Sequence, residues 1–123
     1  MTKEEKKSAY EIMLAQAKAL FANEDNALAN LSNASALLNT TLSNSVFTGF
    51  YLMDNVNNEL ILGPFQGNVS CVRIPLGKGV CGQSAAENRT LIVQDVTKHA
   101  NYIACDSAAQ SEIVVPMVKD GTL

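Results

Sequence analysis

The segment VFTGFYLM, residues 46–53, decides the fold class, because its aromatic and β-branched side chains are typical of a β-strand. Upstream of it, apolar residues recur every three or four positions in two stretches, which residues 23–26 separate. These stretches predict two helices, and both apolar faces are interpreted as core. Thr2 and Glu5 have the spacing of a capping box at the start of the first helix. The pattern therefore changes from helical to extended at Ser45.

Downstream of this strand the pattern predicts short strands and one short helix. Strands are expected at residues 59–62, 70–74, 90–93 and 111–118, and a helix at residues 80–87. Gly63-Pro64 is expected to close the hairpin of the first two strands, and residues 95–110 to form a long loop.

This order of elements favours an α+β fold, with a central antiparallel sheet flanked by helices. We expect a single domain over residues 1–123, made of a helical front over 1–43 and a sheet and active-site body over 44–123. Lys119-Asp120-Gly121 has the composition of a turn, and no strand follows it. We therefore expect a chain truncated at its C-terminus, which lacks the last strand or strands and a closing helix.

Composition excludes several functional classes. The chain has 123 residues, of which 47% are apolar and 17% charged, and its formal net charge is −3. The longest basic cluster is Lys6-Lys7, so binding to nucleic acid or to a membrane surface has no electrostatic basis. No apolar run approaches the roughly 18 residues of a membrane-spanning helix, and the charged N-terminus is unlike a signal peptide. We expect a soluble, cytoplasmic domain.

The most reactive side chains in the sequence are three cysteines, Cys71, Cys81 and Cys105. Their spacing lacks the close pairs of a zinc site, and the single histidine, His99, cannot complete a ligand set. A permanent disulfide is disfavoured in a reducing compartment. Two interpretations stay open from spacing alone: small buried hydrophobic residues, or redox-active thiols.

The surroundings of Cys105 favour thiol chemistry. Asp106 follows Cys105 directly, and Glu112 lies seven residues after Cys105. A thiol and two carboxylates are therefore close in sequence. A thiolate can attack an electrophile, a nearby acid can protonate what leaves, and a second thiol can resolve the product. By contrast, the GKGVCG segment at residues 77–82 lacks the Gly-Lys-Ser/Thr ending of a phosphate loop, so it is interpreted as a tight turn.

Five segments in order carry a family resemblance: GFYL (49–52), LGPFQG (62–67), GKGVCG (77–82), IACD (103–106) and SEIVVP (111–116). Together they resemble the free methionine-(R)-sulfoxide reductase family, whose enzymes are built on a GAF domain. The match runs from about residue 47 to residue 116, and all three cysteines fall at the family's cysteine positions.

The resemblance implies a GAF-like antiparallel sheet with helices on its faces, enclosing a small ligand pocket. It also implies a reaction, the reduction of free L-methionine (R)-S-oxide to methionine through a cysteine sulfenic acid and a disulfide. Thioredoxin is the implied reductant that recycles the enzyme. No cofactor and no metal are implied, and no nucleic acid or membrane partner. Related enzymes often pair as dimers, so a homodimer is a further expectation.

The resemblance also implies a role for each matched residue. Cys105 matches the nucleophile, and Cys71 and Cys81 are both candidates to resolve it. Glu112 matches a carboxylate that binds substrate and acts as an acid. The implied substrate-binding residues are Phe47, Tyr51, Ala104 and Glu112, with Phe47 in the place of a usual tryptophan.

The implied chemistry suits these residue types. The sulfur of a sulfoxide becomes electrophilic only when its oxygen gains a proton or a strong hydrogen bond, which calls for a carboxyl group beside the thiolate. The sulfenic acid left on the attacking cysteine condenses with a nearby thiol before it is oxidised further. An aromatic wall suits a methyl sulfide, because sulfur and aromatic rings attract.

Two departures from the family pattern leave alternatives open. Tyr102 stands where the family usually has a histidine, and the chain ends at Leu123, before a segment in which the family places two pocket aspartates. The alternatives are a non-catalytic GAF sensor that binds a small molecule, and an inactive truncated or interaction fragment of the reductase.

Overall fold

The computed structural model describes residues 2–42, 44–96 and 111–118. Over these residues the elements are α1 (Lys3–Phe21), α2 (Ala27–Thr41), β1 (Phe47–Asp54), β2 (Glu59–Gly67), β3 (Arg73–Pro75), α3 (Gly79–Glu87), β4 (Leu91–Val93) and β5 (Glu112–Val114). One sheet has the order β1-β2-β3, and β4 and β5 form a second, two-stranded sheet. Helices and antiparallel strands therefore follow each other as the sequence predicts.

The chain divides into two compact units. The first contains residues 1–50 and 63–68, and the second contains residues 51–62 and 69–123. The expected organisation as one domain, with a front over 1–43 and a body over 44–123, stays a prediction. Within the part of the chain that the structure describes, no helix is both long and apolar enough to cross a membrane.

Polar caps determine where both helices of the first unit begin. The Thr2 hydroxyl accepts a hydrogen bond from the Glu5 backbone N–H at 3.1 Å, as the capping spacing predicts. At the start of α2, the Asn26 side chain accepts from the Ala29 N–H at 2.9 Å. Each cap gives a partner to a backbone N–H that the helix itself leaves unbonded.

The apolar face of α1 is less buried than the sequence predicts. The helix packs against α2, but none of its described residues is fully buried. Leu14 and Leu20 keep 56% and 47% of their surface exposed, so the interpretation of the whole face as core is wrong for these positions. A helix that packs chiefly on one neighbour buries only part of a wide apolar face.

Close packing joins the strands of the first unit. The Phe47 and Phe65 rings stack with their centroids 5.1 Å apart. A Cβ atom on Gly49 would lie only 2.6 Å from the Phe65 Cα and 2.7 Å from the Pro64 carbonyl oxygen. The fully buried Ser35 of α2 places its hydroxyl 3.0 Å from that same carbonyl. Only glycine fits at position 49, because backbone atoms cannot retreat as a flexible side chain can.

The prediction that Gly63-Pro64 ends the second strand is wrong, because β2 continues through both residues to Gly67. Proline has no N–H, so it interrupts a sheet only where the strand needs to donate a hydrogen bond to a neighbour. β3 pairs with residues Glu59, Leu60 and Ile61 of β2, and Pro64 lies beyond that paired stretch. β2 therefore continues as a strand through Pro64, although its assigned pairing with β3 does not extend that far.

The second unit has its own apolar core, made of residues from four elements and a loop. Its buried hydrophobic residues are Leu60, Ile74, Val80, Leu91 and Val96. α3 contacts β3, β4 and β5, and β4 pairs with β5 in the register Leu91↔Val114, Ile92↔Ile113 and Val93↔Glu112. This pairing fixes Glu112 at the start of β5.

Two predicted strands are shorter than expected. β5 covers Glu112–Val114 rather than 111–118, and the third strand begins at Arg73, not at Ser70. Ser70 and Cys71 lie in an irregular segment before β3, where the Cys71 carbonyl accepts a hydrogen bond from the Tyr51 hydroxyl. The predicted loop over 95–110 falls largely on residues 97–110, which lie outside the described residues.

The predicted tight turn of the GKGVCG segment is confirmed. The Gly77 N–H donates to the Gly82 carbonyl at 2.8 Å, and α3 begins at Gly79 between them. A Cβ atom on Gly82 would lie 2.5 Å from the Pro75 carbonyl oxygen and 3.2 Å from the Gly77 nitrogen. Backbone therefore approaches backbone here, as a glycine permits.

We predict that Gly49→Ala lowers the free energy of unfolding by about 1–3 kcal/mol, because the added methyl group must displace the Phe65 backbone. Urea unfolding followed by far-ultraviolet circular dichroism measures the change. Asn33→Ala, at an exposed position of α2, is the control and should stay within about 0.5 kcal/mol of the original chain. An unchanged urea midpoint in Gly49→Ala would contradict this account of the β1–β2 packing.

Candidate active site

Four of the predicted site residues lie in the second unit, each on a different element. Tyr51 comes from β1, Cys71 from the irregular segment 69–72, and Cys81 from the first turn of α3. Glu112 is the first residue of β5. All four are partly buried. The structure therefore brings together residues that are up to 61 positions apart in the sequence, from Tyr51 to Glu112 (112 − 51).

Tyr51 is the centre of this group. Its hydroxyl donates a hydrogen bond to the Cys71 carbonyl oxygen at 2.7 Å and lies 3.0 Å from the Ser70 hydroxyl. A phenol has one proton to donate, so the Ser70 hydroxyl is the donor in the second contact. Burial raises the pKa of Tyr51, the Ser70 hydrogen bond lowers it in part, and electrostatic interactions with Cys81 and Glu112 raise it further. Tyr51 is thus a neutral hydrogen-bond donor across the physiological pH range.

Cys81 is a free thiol whose surroundings suppress its ionisation. Burial, and secondarily the charge of Glu112, raises the pKa of Cys81 from its ordinary value of 9.0 to about 12. A thiol in the first turn of a helix usually ionises more easily, but that effect is only about 0.3–1 kcal/mol, which lowers a pKa by less than about 1. Burial therefore outweighs the helix N-terminus, and Cys81 stays protonated at neutral pH.

Cys71 differs from Cys81 in its redox state. It is disulfide-bonded, whereas Cys81 is free. Cys71 is partly buried and lies in an irregular segment, outside any helix or strand. Two cysteines ten positions apart thus have opposite properties, one already oxidised and the other protected from ionisation.

Glu112 places a carboxylate in a half-buried position. Its charge raises the pKa values of both Tyr51 and Cys81, which places the carboxylate within electrostatic range of both side chains. It pairs with Val93 across the β4–β5 ladder, so the strand register fixes its backbone. A carboxyl group in this position can exchange a proton with a polar group beside it.

The remaining predicted residues fall elsewhere. Phe47 lies in the first unit, where it stacks on Phe65. Cys105 and Ala104 lie outside the described residues, as do His99, Tyr102 and Asp106.

Ser70 is a polar neighbour that the sequence did not single out. The Tyr51 hydroxyl contacts both the Ser70 hydroxyl and the Cys71 carbonyl. The sequence pattern predicts Ser70 only as the first residue of a strand. Serine is common at strand ends, so nothing in the local sequence distinguishes it. Within the described ranges, no three His, Cys, Asp or Glu side chains lie together as metal ligands would.

We predict that the alkylation rate of Cys81 at neutral pH is far below that of an ordinary cysteine, because only about one part in 10⁵ is thiolate at pH 7. A raised pKa means that the rate should still climb roughly tenfold per pH unit above pH 9, where an ordinary thiol reaches its plateau. Iodoacetamide labelling from pH 7 to 10, followed by peptide mass spectrometry, measures this profile. Urea-unfolded protein is the control, and a plateau near pH 9 in the folded protein would contradict the burial of this thiol.

Comparison with known proteins places this arrangement in a family. No protein-family model matches the chain. It is 45% identical to GAF domain-containing protein A of Dictyostelium discoideum over 123 residues, covering 100% of this chain and 77% of that protein. It is 42% identical to the free methionine-R-sulfoxide reductase of Saccharomyces cerevisiae over 120 residues, covering 94% of this chain and 67% of that enzyme.

A solved structure agrees with the sequence relatives. The X-ray structure of free methionine-R-sulfoxide reductase from Neisseria meningitidis, in complex with its substrate, superposes with a TM-score of 0.90 at 41% identity. The match covers 99% of this chain and 72% of that one. The α+β architecture is therefore the GAF fold, and the resemblance seen in the sequence is confirmed. The chain belongs to the free methionine-R-sulfoxide reductase family of oxidoreductases.

Proposed function

We propose that this protein reduces the R epimer of free methionine sulfoxide to methionine, with Cys105 as the nucleophile and Cys71 as the thiol that resolves it. The observation that carries the proposal is the contrast between the two described cysteines, because Cys71 is disulfide-bonded while Cys81 is free and protonated. Relatives at 41–42% identity are named for this reaction, and one of them has been solved with its substrate bound.

In the first step the Cys105 thiolate attacks the electrophilic sulfur of the sulfoxide. Glu112 supplies the proton that the sulfoxide oxygen needs, and the oxygen passes to the cysteine. Methionine leaves, and Cys105 becomes a sulfenic acid. The substrate sulfur is thereby reduced by two electrons, and the cysteine sulfur is oxidised by two. The position of Glu112, close enough to Tyr51 and Cys81 for its charge to act on both, supports this role.

In the second step a thiol must displace the hydroxyl of the sulfenic acid, releasing water and forming a disulfide. The sequence left Cys71 and Cys81 open for this step. The state of the thiols favours Cys71, since thiolate is the reacting form and the pKa of Cys81 is about 12. With Cys81 free, Cys105 is the proposed disulfide partner of Cys71.

In the third step a dithiol reductant returns the enzyme to its starting state. We propose thioredoxin, whose two thiols reduce the disulfide by exchange and become a disulfide themselves. Such recycling requires a reducing compartment, which supports the expected cytoplasmic location. The non-catalytic GAF module is the second candidate, and a relative named only for its GAF domain, at 45% identity, is the observation in its favour.

We predict that the purified protein forms methionine from the R epimer and not from the S epimer, with dithiothreitol as reductant. Chromatography of released methionine measures both rates. Cys105→Ser should reduce turnover at least about 100-fold, because a serine hydroxyl is not ionised at neutral pH and cannot replace the attacking thiolate. Turnover of neither epimer would support the non-catalytic GAF module instead, and equal turnover of both would contradict the assigned substrate.

We predict that the two other cysteines respond differently when thioredoxin is the only reductant. Cys71→Ser should release about one methionine per chain and then stall, since the sulfenic acid has no partner. Cys81→Ser should continue to cycle, because a protonated, enclosed thiol does not take part. Quenched-flow measurement of methionine per chain distinguishes the two. The reverse result, with stalling in Cys81→Ser, would assign resolution to Cys81.

A further inference from the structure

We propose that Tyr51 is a positioning residue that holds Cys71 in place for disulfide formation, through the hydrogen bond from its hydroxyl to the Cys71 backbone carbonyl. This inference rests on the proposed function, in which Cys71 resolves the sulfenic acid of Cys105. It assigns to Tyr51 a task distinct from the substrate contact that the family resemblance implies.

The segment around Cys71 has little side-chain packing to fix it. Residues 69–72 lie between β2 and β3 and form neither helix nor strand. Val69 and Val72, which flank the Ser70-Cys71 pair, keep 84% and 60% of their surface exposed. Apolar burial therefore contributes little to the position of Cys71, and hydrogen bonds contribute more to it while the cysteine is reduced.

Hydrogen bonds attach this segment to its neighbours in the second unit. The Leu62 N–H donates to the Val72 carbonyl at 2.8 Å, which continues the β2–β3 ladder by one residue. One residue earlier, the Tyr51 hydroxyl donates a hydrogen bond to the Cys71 carbonyl at 2.7 Å. The Ser70 hydroxyl lies 3.0 Å from the same Tyr51 oxygen. Tyr51 thus restrains the cysteine at the point where the strand pairing ends.

Tyr51 is well suited to act as a fixed support. Its backbone lies within β1, so the base of the side chain is held by the sheet. The phenol has only two rotatable side-chain bonds and is partly buried, so little conformational freedom remains to be lost. Burial also raises the pKa of Tyr51, which keeps the donated proton in place.

Positioning matters because disulfide geometry is narrow. The two Cα atoms of a disulfide usually lie about 4.4–6.8 Å apart, so a cysteine on a loose segment spends much of its time out of range. One hydrogen bond of this kind changes the population of the bonded arrangement by about 2- to 10-fold. The rate at which the sulfenic acid closes to a disulfide should change by the same factor, while the attack on substrate uses a different sulfur.

Tyr51→Phe removes the hydroxyl and keeps the ring, so it tests this role. Closure can be started without methionine sulfoxide: one equivalent of hydrogen peroxide oxidises the reduced Cys105 thiolate to sulfenic acid and is itself reduced to water. Attack by the Cys71 thiol then gives the disulfide and a second water. Alkylation of the remaining thiols at timed intervals, with peptide mass spectrometry, gives the closure rate, and dimedone labelling gives the lifetime of the sulfenic acid.

We expect disulfide closure in Tyr51→Phe to be slower by about 2- to 10-fold, with more dimedone adduct on Cys105. Ser70→Ala keeps the Tyr51–Cys71 hydrogen bond and should slow closure less. Tyr10→Phe, which removes an equivalent hydroxyl from an α1 side chain that is 44% exposed, should close at the rate of the original chain. This order of rates would not arise from a general loss of stability.

Closure at the original rate in Tyr51→Phe, together with a raised KM for methionine sulfoxide, would overturn the proposal and leave Tyr51 with a substrate contact alone. Failure of the proposed function is a separate result. In that case the original chain would release no methionine from either epimer, whereas the peroxide experiment would still report how quickly Cys71 closes on Cys105.

Discussion

The hydrogen bond between the Tyr51 hydroxyl and the Cys71 carbonyl is the interaction on which the site most depends. It lies one residue from the Val72 carbonyl, which accepts a hydrogen bond from the Leu62 N–H of β2. Ser70 and Cys71 lie outside the sheet, on an irregular segment whose neighbouring valines face solvent. The Tyr51 side chain thereby restrains a cysteine that strand pairing does not hold.

Solvent access separates the chemistry of the two described cysteines. A helix N-terminus would favour a thiolate at Cys81, yet the loss of water around that sulfur is the larger effect, and the nearby Glu112 charge acts in the same direction. The same carboxylate acts on Tyr51, whose burial also favours the neutral form. The group therefore contains two neutral donors close to one acidic side chain.

The sequence predicted those features that depend on local pattern. Helix starts follow from Thr2 and Asn26, whose short polar side chains cap free N–H groups, and only the first of these was anticipated. The order of strands follows from their apolar composition. The family motifs then led to the right fold and the right enzyme family, because five ordered segments are far more specific than any one of them.

The features that the sequence missed depend on tertiary contacts. Pro64 looked like the end of a strand, but whether a missing N–H matters depends on which neighbour lies beside it. Ser70 looked like a strand residue, but its hydroxyl contacts a phenol 19 positions away, which a local pattern does not reveal. Leu14 and Leu20 followed a helical period, but the period does not tell how many neighbours a helix has. The assignment of Cys105 and Ala104 remains a prediction.

The tight approach of Gly82 to the Pro75 carbonyl has a consequence for the sulfur next to it. A larger residue there would have to push the first turn of α3 away from the preceding turn, and Cys81 would move with it. Water admitted by that shift would lower the proton affinity of a thiol that is now inert. The high pKa of Cys81 therefore depends on the absence of a side chain at position 82.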